Sequence, residues 1–281
     1  MFKLRLTHPE TKETVDFDLI SESREMYAKM QEFGIEQSLY SLKLKDMRED
    51  GAPIRVHADS DTGNALLKLM DDQESLHDVR TIDSDISGIR DELKEEVEQN
   101  LFYEQYQSID HLYREIKHML KDLAINKVAF YCPLTGNLND HDGDYSETFG
   151  YTINCNAYQI EEALEAYQTR DICMAQYVGN HSGLKDKLAF VEWNVEEVRG
   201  TLYGRIDCHI TEELTPEEIE SLRDAVCGQN SDGFGEGFEQ REIEIDEGDL
   251  YVSFWNCHDS YFLETEDEFY DRIEQSSGMS M

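Results

Sequence analysis

One run, Asn139-Asp140-His141-Asp142-Gly143-Asp144, has the acid content of a calcium-binding loop. Such a loop needs oxygen ligands at its first and twelfth positions around an invariant glycine. With Gly143 in that role, Leu138 falls on the first position and Phe149 on the twelfth. Neither side chain carries an oxygen, so the run reads as an acidic turn. A second run, Gly233-Phe234-Gly235-Glu236-Gly237, is glycine-rich but lacks both the G-x-G-x-x-G spacing and the Gly-Lys-Ser/Thr of a P-loop. Asp232, Glu236 and Glu239 stand where a phosphate would sit, which opposes anion binding. The chain contains no H-E-x-x-H or G-x-S-x-G, and its nine histidines show no metal-ligand spacing. Paired carboxylates are too abundant for any one pair to stand out as a general acid/base dyad. These patterns predict no catalytic residue, no cofactor and no metal.

Charge is the stronger signal. In 281 residues, 62 acids face 25 bases, a formal net charge of −37. A phosphate-tracking surface requires a basic patch, so direct nucleic-acid binding is not expected. Anionic membrane surfaces would repel the chain for the same reason. Disordered acidic tails are poor in aromatics and large aliphatics, whereas here 39% of residues are hydrophobic and 10% aromatic, enough for a core. No apolar run reaches membrane-span length, and the first ten residues lack the features of a signal peptide. A cytoplasmic protein is expected. Cys132, Cys155, Cys173, Cys208, Cys227 and Cys257 include no C-x-x-C pair and read as free, mostly buried thiols.

The elements that must carry these residues divide near Asn126. Phe2–Leu6 and Val15–Leu19 alternate with period two, as half-buried strands do. Ser23–Gly34 reads as a helix closed by glycine, and Leu39–Leu44 and Ile54–Val56 as strands. Helical spacing recurs over Thr62–Leu76 and Ser84–Leu123, with Ile86, Ile89, Leu93 and Val97 as one stripe and Ile109, Leu112, Ile116 and Leu120 as another. The second part opens with a strand at Lys127–Tyr131 and a short helix at Asn156–Gln168. Leu188–Val195 and Thr201–Ile210 form a hairpin around Arg199-Gly200. Thr215-Pro216-Glu217-Glu218 starts a helix running to Gly228, with a capping residue, proline at the first position and acids in the first turn. Glu242–Ile245 and Leu250–Trp255 make a last hairpin. The expectation is an α+β protein: a small N-terminal α/β unit with helices over 1–125, and an antiparallel-sheet domain of order β-β-α-β-β over 126–281. The second part holds 34 acids and 9 bases, net −25, against 28 and 16 in the first, net −12.

Duplex DNA presents about one negative charge per 1.7 Å of axis. A folded chain imitates it only by holding carboxylates on a rigid scaffold. Here the acids cluster as Glu212, Glu213, Glu217, Glu218 and Glu220; as Asp246, Glu247 and Asp249; and as Glu264, Glu266, Asp267 and Glu268. Tyr251, Trp255, Tyr261, Phe262 and Phe269 lie among them as anchors or packing for the acidic face. Any single cluster alone would be an ordinary solvated face. Together with Asp232, Glu236 and Glu239 they form the expected contact set for a partner with a Lys/Arg-lined nucleic-acid channel, which such a surface would attract quickly.

The runs Leu214–Glu218, Gly228–Arg241 and Leu250–Trp255 resemble acidic proteins carried by phages and conjugative elements of Gram-positive gut bacteria, of the antirestriction and anti-CRISPR kind. The resemblance covers about 45 residues near the C-terminus. It implies a counter-defence role, with DNA mimicry as the mechanism, and carries over no catalytic residue. A CRISPR effector or a restriction enzyme is the implied partner, and a homodimer would extend the acidic track. Two other classes share some of these features. One is an acidic adaptor or chaperone for a basic protein of a mobile element. The other is an enzyme with its site in the Gly228–Arg241 loop, using Arg241 and His258.

Overall fold

The computed structural model describes the backbone of residues 1–36, 42–49, 51–140, 145–148, 161, 165, 169–232, 240–245, 248–254 and 263–278; within these, side chains are described except at 23, 133–148, 228–254, 277 and 278. The chain forms two compact units, Met1–Ile116 and Lys117–Met281. Helices and antiparallel sheets in both make it an α+β protein. Among the described residues no helix is long and apolar enough to cross a membrane.

In the first unit, β1 (Phe2–Thr7), β2 (Thr14–Asp18) and β3 (Ile54–Ala58) form an antiparallel sheet of order β2-β1-β3. Phe2, Leu4 and Leu6 are fully buried on one face of β1, the consequence of its period-two pattern. Helix α1 (Ser23–Glu32) is followed by Gly34 at φ +65°, a backbone conformation that glycine adopts without steric cost. The expected strand at Leu39–Leu44 is not formed where it is described: Lys43 makes an isolated bridge to Ser75, and Leu44 begins the short helix α2 (Leu44–Arg48).

The two long helical spans are each broken. α3 (Asp61–Leu69) ends at Met70, and α4 (Leu76–Gly88) begins afresh because Ser75 and Asp78 form a reciprocal capping box. Ile89 and Arg90 are extended, and α5 (Asp91–Phe102) starts with Asp91 and Glu92 in its first turn. Ile86 therefore lies before the break, Ile89 within it, and Leu93 and Val97 after it, yet all four are buried. Apolar spacing continues through the break because the residues on both sides of it are buried. α6 (Ile109–Asp122) carries the second stripe as expected, and the division between the units falls within it. Tyr113 on α6 donates to Asp85 on α4 across 2.5 Å, so a buried carboxylate is satisfied inside the first unit.

The second unit is built on β4 (Asn126–Asp140), β5 (Tyr145–Thr148), β6 (Leu188–Val198), β7 (Thr201–Ile210), β8 (Gln240–Ile245), β9 (Gly248–Phe254) and β10 (Glu264–Thr265). Their order is β6-β7-β4-β9-β8, with β5 and β10 also paired to β4, all antiparallel. The β6–β7 turn has Arg199 at φ +57° and Gly200 at φ +77° between the paired Val198 and Thr201. Two left-handed residues match the twist of a two-residue hairpin. Helices α7 (Met174–Ser182), α8 (Pro216–Asp232) and α9 (Glu266–Gly278) complete the unit.

Several expectations need correcting here. β4 is far longer than Lys127–Tyr131 and takes in Asn139 and Asp140, which pair with Asp249 and Gly248. Helix α8 runs through Gly228 to Asp232, so that glycine caps nothing. The expected helix at Asn156–Gln168, and the remainder of the acidic turn at 141–144, lie outside the described residues except for Glu161 and Glu165. Cys132, Cys208 and Cys227 are buried free thiols and Cys173 is a half-buried one; Cys155 and Cys257 lie outside the described residues.

Candidate partner-binding surface

Alternate residues of β4 send the sheet's two faces to different partners. Phe130 and Cys132 join Trp193, Ile206, Cys208, Val178 of α7 and Leu222 and Val226 of α8 in one apolar core. Ala129 and Tyr131 join Tyr203 with Phe269 and Ile273 of α9 in another, where Tyr131 stacks on Phe269 at 4.2 Å between ring centroids. So α8 covers one face and α9 the other. Phe269, read from sequence as an anchor or as packing for the acidic face, packs in the core beneath α9.

Both helices start in the same way. Thr215 and Glu218 exchange hydrogen bonds at 2.9 and 3.3 Å, and Thr265 and Glu268 do so at 2.8 and 3.5 Å. Each is a Thr-x-x-Glu capping box that satisfies otherwise orphaned backbone N–H groups. Lys187 lies 2.8 Å from Glu218 and 3.8 Å from Glu212. The Lys187 ammonium and the Thr215 backbone N–H hold the Glu218 carboxyl below its ordinary pKa. Glu264 is bound by Arg272 through two contacts of 2.6 and 2.7 Å.

Arg223 joins the two clusters that are far apart in sequence. It lies 3.3 Å from Glu220 on its own helix and 2.8 Å from Glu268 on α9. The salt bridge fixes where the helices meet, at the edge of the sheet marked by β10. At 100° per residue, Glu217, Glu220 and Asp224 form a stripe on α8 opposite the buried Leu222 and Val226, and all three are exposed. Asp267, Asp271 and Glu274 form the corresponding exposed stripe on α9, opposite Phe269 and Ile273. Arg223 and Arg272 are the only basic residues in these two helices, and both are engaged by glutamates. Spacings of three and four residues give about one carboxylate per 5 Å of helix axis. A strand of B-DNA carries about one phosphate charge per 3.4 Å, so each stripe reaches roughly two-thirds of that density.

Of the other expected contact residues, Glu212 and Glu213 are exposed in the β7–α8 connection and Glu266 in the first turn of α9. Glu218, Glu264 and Glu268 have internal structural partners. Asp232 ends α8 and Asp249 lies in β9, with side chains outside the described residues. Glu236, Glu239, Asp246 and Glu247 lie outside them altogether, as do Trp255, Tyr261, Phe262 and His258; Tyr251 lies in β9. Asp224, Asp271 and Glu274 were missed by sequence reasoning. Their i, i+3 and i+4 relation to Glu217, Glu220 and Asp267 was the available signal.

The α9-side face of the sheet holds a second group of polar residues that sequence reading passed over. Glu192, Asn194 and Glu196 alternate on β6, and Arg205, Asp207 and His209 alternate opposite them on β7. Asp207 is 1% exposed and accepts from Arg205 and from Asn194, each at 2.8 Å, with Lys127 Nζ 3.1 Å away. Glu196 accepts from Arg205 at 2.6 Å, Tyr131 at 2.8 Å and Tyr270 at 2.6 Å. Glu192 lies 2.6 Å from Lys121 and 2.8 Å from His209. Each carboxylate already has two or three internal donors, the pattern of a satisfied structural layer. Among the described residues, no group of three or more His, Cys, Asp or Glu side chains is placed to hold a metal ion.

Burial alone would raise the Glu192 pKa, but His209 and Lys121 outweigh it and bring it down to about 2. A carboxylate with a depressed folded-state pKa stabilises above its unfolded value and loses that contribution as pH falls through the folded one. The stability gap between the wild type and Glu192→Gln is therefore expected to be largest near neutrality, at most about 3 kcal/mol. It should close between about pH 4.5 and pH 2. Urea unfolding of both proteins at several pH values checks this, and a gap independent of pH would contradict it.

Comparison of the chain with protein-family models, with curated proteins and with solved structures finds no match.

Proposed function

We propose that this protein is a DNA-mimicking inhibitor of a bacterial defence nuclease, a CRISPR effector or a restriction enzyme. The carboxylates that wrap the sheet edge on α8 and α9 occupy the nuclease's Lys/Arg-lined channel in place of DNA. The observation that carries the reading is the pair of exposed stripes, Glu217/Glu220/Asp224 and Asp267/Asp271/Glu274, on two helices that are tied together by the Arg223 salt bridges to Glu220 and Glu268. A net charge of −37 steers such a surface toward a cationic channel at long range. Arg and Lys residues of RNA-guided nucleases contact the PAM duplex and line the heteroduplex channel, so a docked acidic surface blocks target entry without chemistry.

The test is a cleavage titration of the purified nuclease at fixed DNA. Stoichiometric inhibition, relieved by raising the DNA concentration, is expected. Inhibition at far below one equivalent would show turnover and an enzyme. Inhibition that DNA does not relieve would place the contact outside the channel. A cleavage rate unaffected by excess protein would leave the adaptor for a basic mobile-element protein as the better account.

A further inference from the structure

The first unit contains a groove between α3 and α5 that the acidic helices do not explain. Two adjoining hollows, of about 510 and 430 Å³, share Asp61 and Phe102 as a common wall. Both volumes lie in the range of small-ligand and side-chain clefts, roughly 300–1,000 Å³. The inner hollow is lined by Ala65, Leu69, Leu101 and Tyr106, with the exposed Lys68–Glu104 ion pair, 3.8 Å apart, also on its wall. Tyr106 is 6% exposed, and its hydroxyl has no hydrogen-bond partner; the Asn100 amide beside it is outside hydrogen-bond geometry. A buried hydroxyl without a partner is costly unless something supplies one.

The outer hollow is different in character. Glu95, Glu98 and Asp61 line it with no basic side chain among its walls. Phe102 and Tyr103 stand beside these acids at 69% and 66% exposure, in edge-to-face contact at 5.2 Å. Large aromatics this exposed mark a contact surface when they rim a cavity. Aromatic faces next to carboxylates also suit a cation, which gains from both the ring quadrupole and the negative charge.

We infer that this groove is a docking site for a basic amphipathic segment of a partner protein. An apolar side chain of the segment fills the inner hollow, and a lysine or arginine about one turn away lies against Phe102, Tyr103 and the three carboxylates. A backbone carbonyl or polar side chain of the segment receives the Tyr106 hydroxyl. Charge complementarity selects a basic occupant over an acidic or neutral one. The inference stands on the first unit alone and does not rest on the reading of α8 and α9.

The probe is a fluorescein-labelled fourteen-residue peptide of leucine and lysine, with leucines at i, i+3, i+4 and i+7, and its leucine/glutamate counterpart. Binding to the full chain is measured by anisotropy. The Leu/Lys peptide is expected to bind and the Leu/Glu peptide not to. The double variant Phe102→Ala/Tyr103→Ala keeps the net charge, and both side chains are exposed, so the fold should survive; its affinity is expected to fall at least tenfold. The triple variant Glu217→Gln/Glu220→Gln/Asp224→Asn should bind within threefold of the wild type. Tyr106→Phe should melt no lower than the wild type yet bind more weakly. Unchanged affinity in the folded aromatic variant would show attraction by net charge alone and overturn the inference. So would failure of the Leu/Lys peptide to bind, or a loss confined to the triple variant. A lower melting temperature for Tyr106→Phe would show that the hydroxyl already has a partner and overturn its role.

Discussion

Neutralising the six stripe carboxylates, as Glu217→Gln, Glu220→Gln, Asp224→Asn, Asp267→Asn, Asp271→Asn and Glu274→Gln, is expected to weaken the nuclease complex at least about 100-fold. If each contact contributes about 0.5 kcal/mol, six lose about 3 kcal/mol, which is that factor. Most of the surplus negative charge stays in place, so long-range steering persists and the loss reports the local surface. The fold should be unharmed. All six side chains are exposed, and the one with an internal salt bridge, Glu220 to Arg223, belongs to the surface class contributing about 0–1 kcal/mol. Removing like charges at i, i+3 and i+4 relieves about 0.2–0.5 kcal/mol per pair, against similar losses of helix-terminus charge at Glu217 and Asp267. Circular dichroism and urea unfolding should match the wild type while nuclease affinity does not. A folded variant that inhibits fully would remove these helices from the contact surface.

Asp207→Ala is expected to be among the most damaging single substitutions in the second unit, costing about 3–5 kcal/mol. The carboxylate is buried, and Arg205, Asn194 and Lys127 all converge on it. Deleting it leaves the Arg205 guanidinium, the Lys127 ammonium and the Asn194 amide without their shared acceptor on a sheet face covered by α9 at one end. A typical domain has about 5–15 kcal/mol of stability, so the midpoint of urea unfolding should shift markedly. Asp207→Asn keeps the shape and some acceptor capacity and should cost less. Equal, small costs for both variants would contradict the geometry described for this layer.

What could be read from sequence was local. The Arg199-Gly200 hairpin needs only two left-handed residues, and the Thr215 start of α8 needs only its own capping box. The stripe on α6 repeats every three or four residues within one helix. What failed depended on neighbours. β4 looked short because Pro133 interrupts its alternation, yet Pro133 falls between the stretch paired to β10 and the stretch paired to β9, where a strand tolerates a lost N–H. The breaks between α3, α4 and α5 were hidden because apolar spacing continued through them. Glu192, Asn194 and Glu196 did not stand out, since their strand alone shows neither the facing β7 residues nor α9. The acid clusters were legible as clusters. That Glu220 and Glu268 share Arg223 was not, because they stand 48 positions apart and only the tertiary fold brings them together.

The central claim is that this chain and DNA compete for one channel. Immobilised wild-type protein and the six-carboxylate variant would be used as bait in extracts of cells carrying CRISPR and restriction systems, followed by elution with duplex DNA. The account predicts that the wild type retains a nuclease, that duplex DNA releases it, and that the variant retains none. A nuclease held equally by both baits, or one that duplex DNA fails to release, would contradict DNA mimicry by α8 and α9.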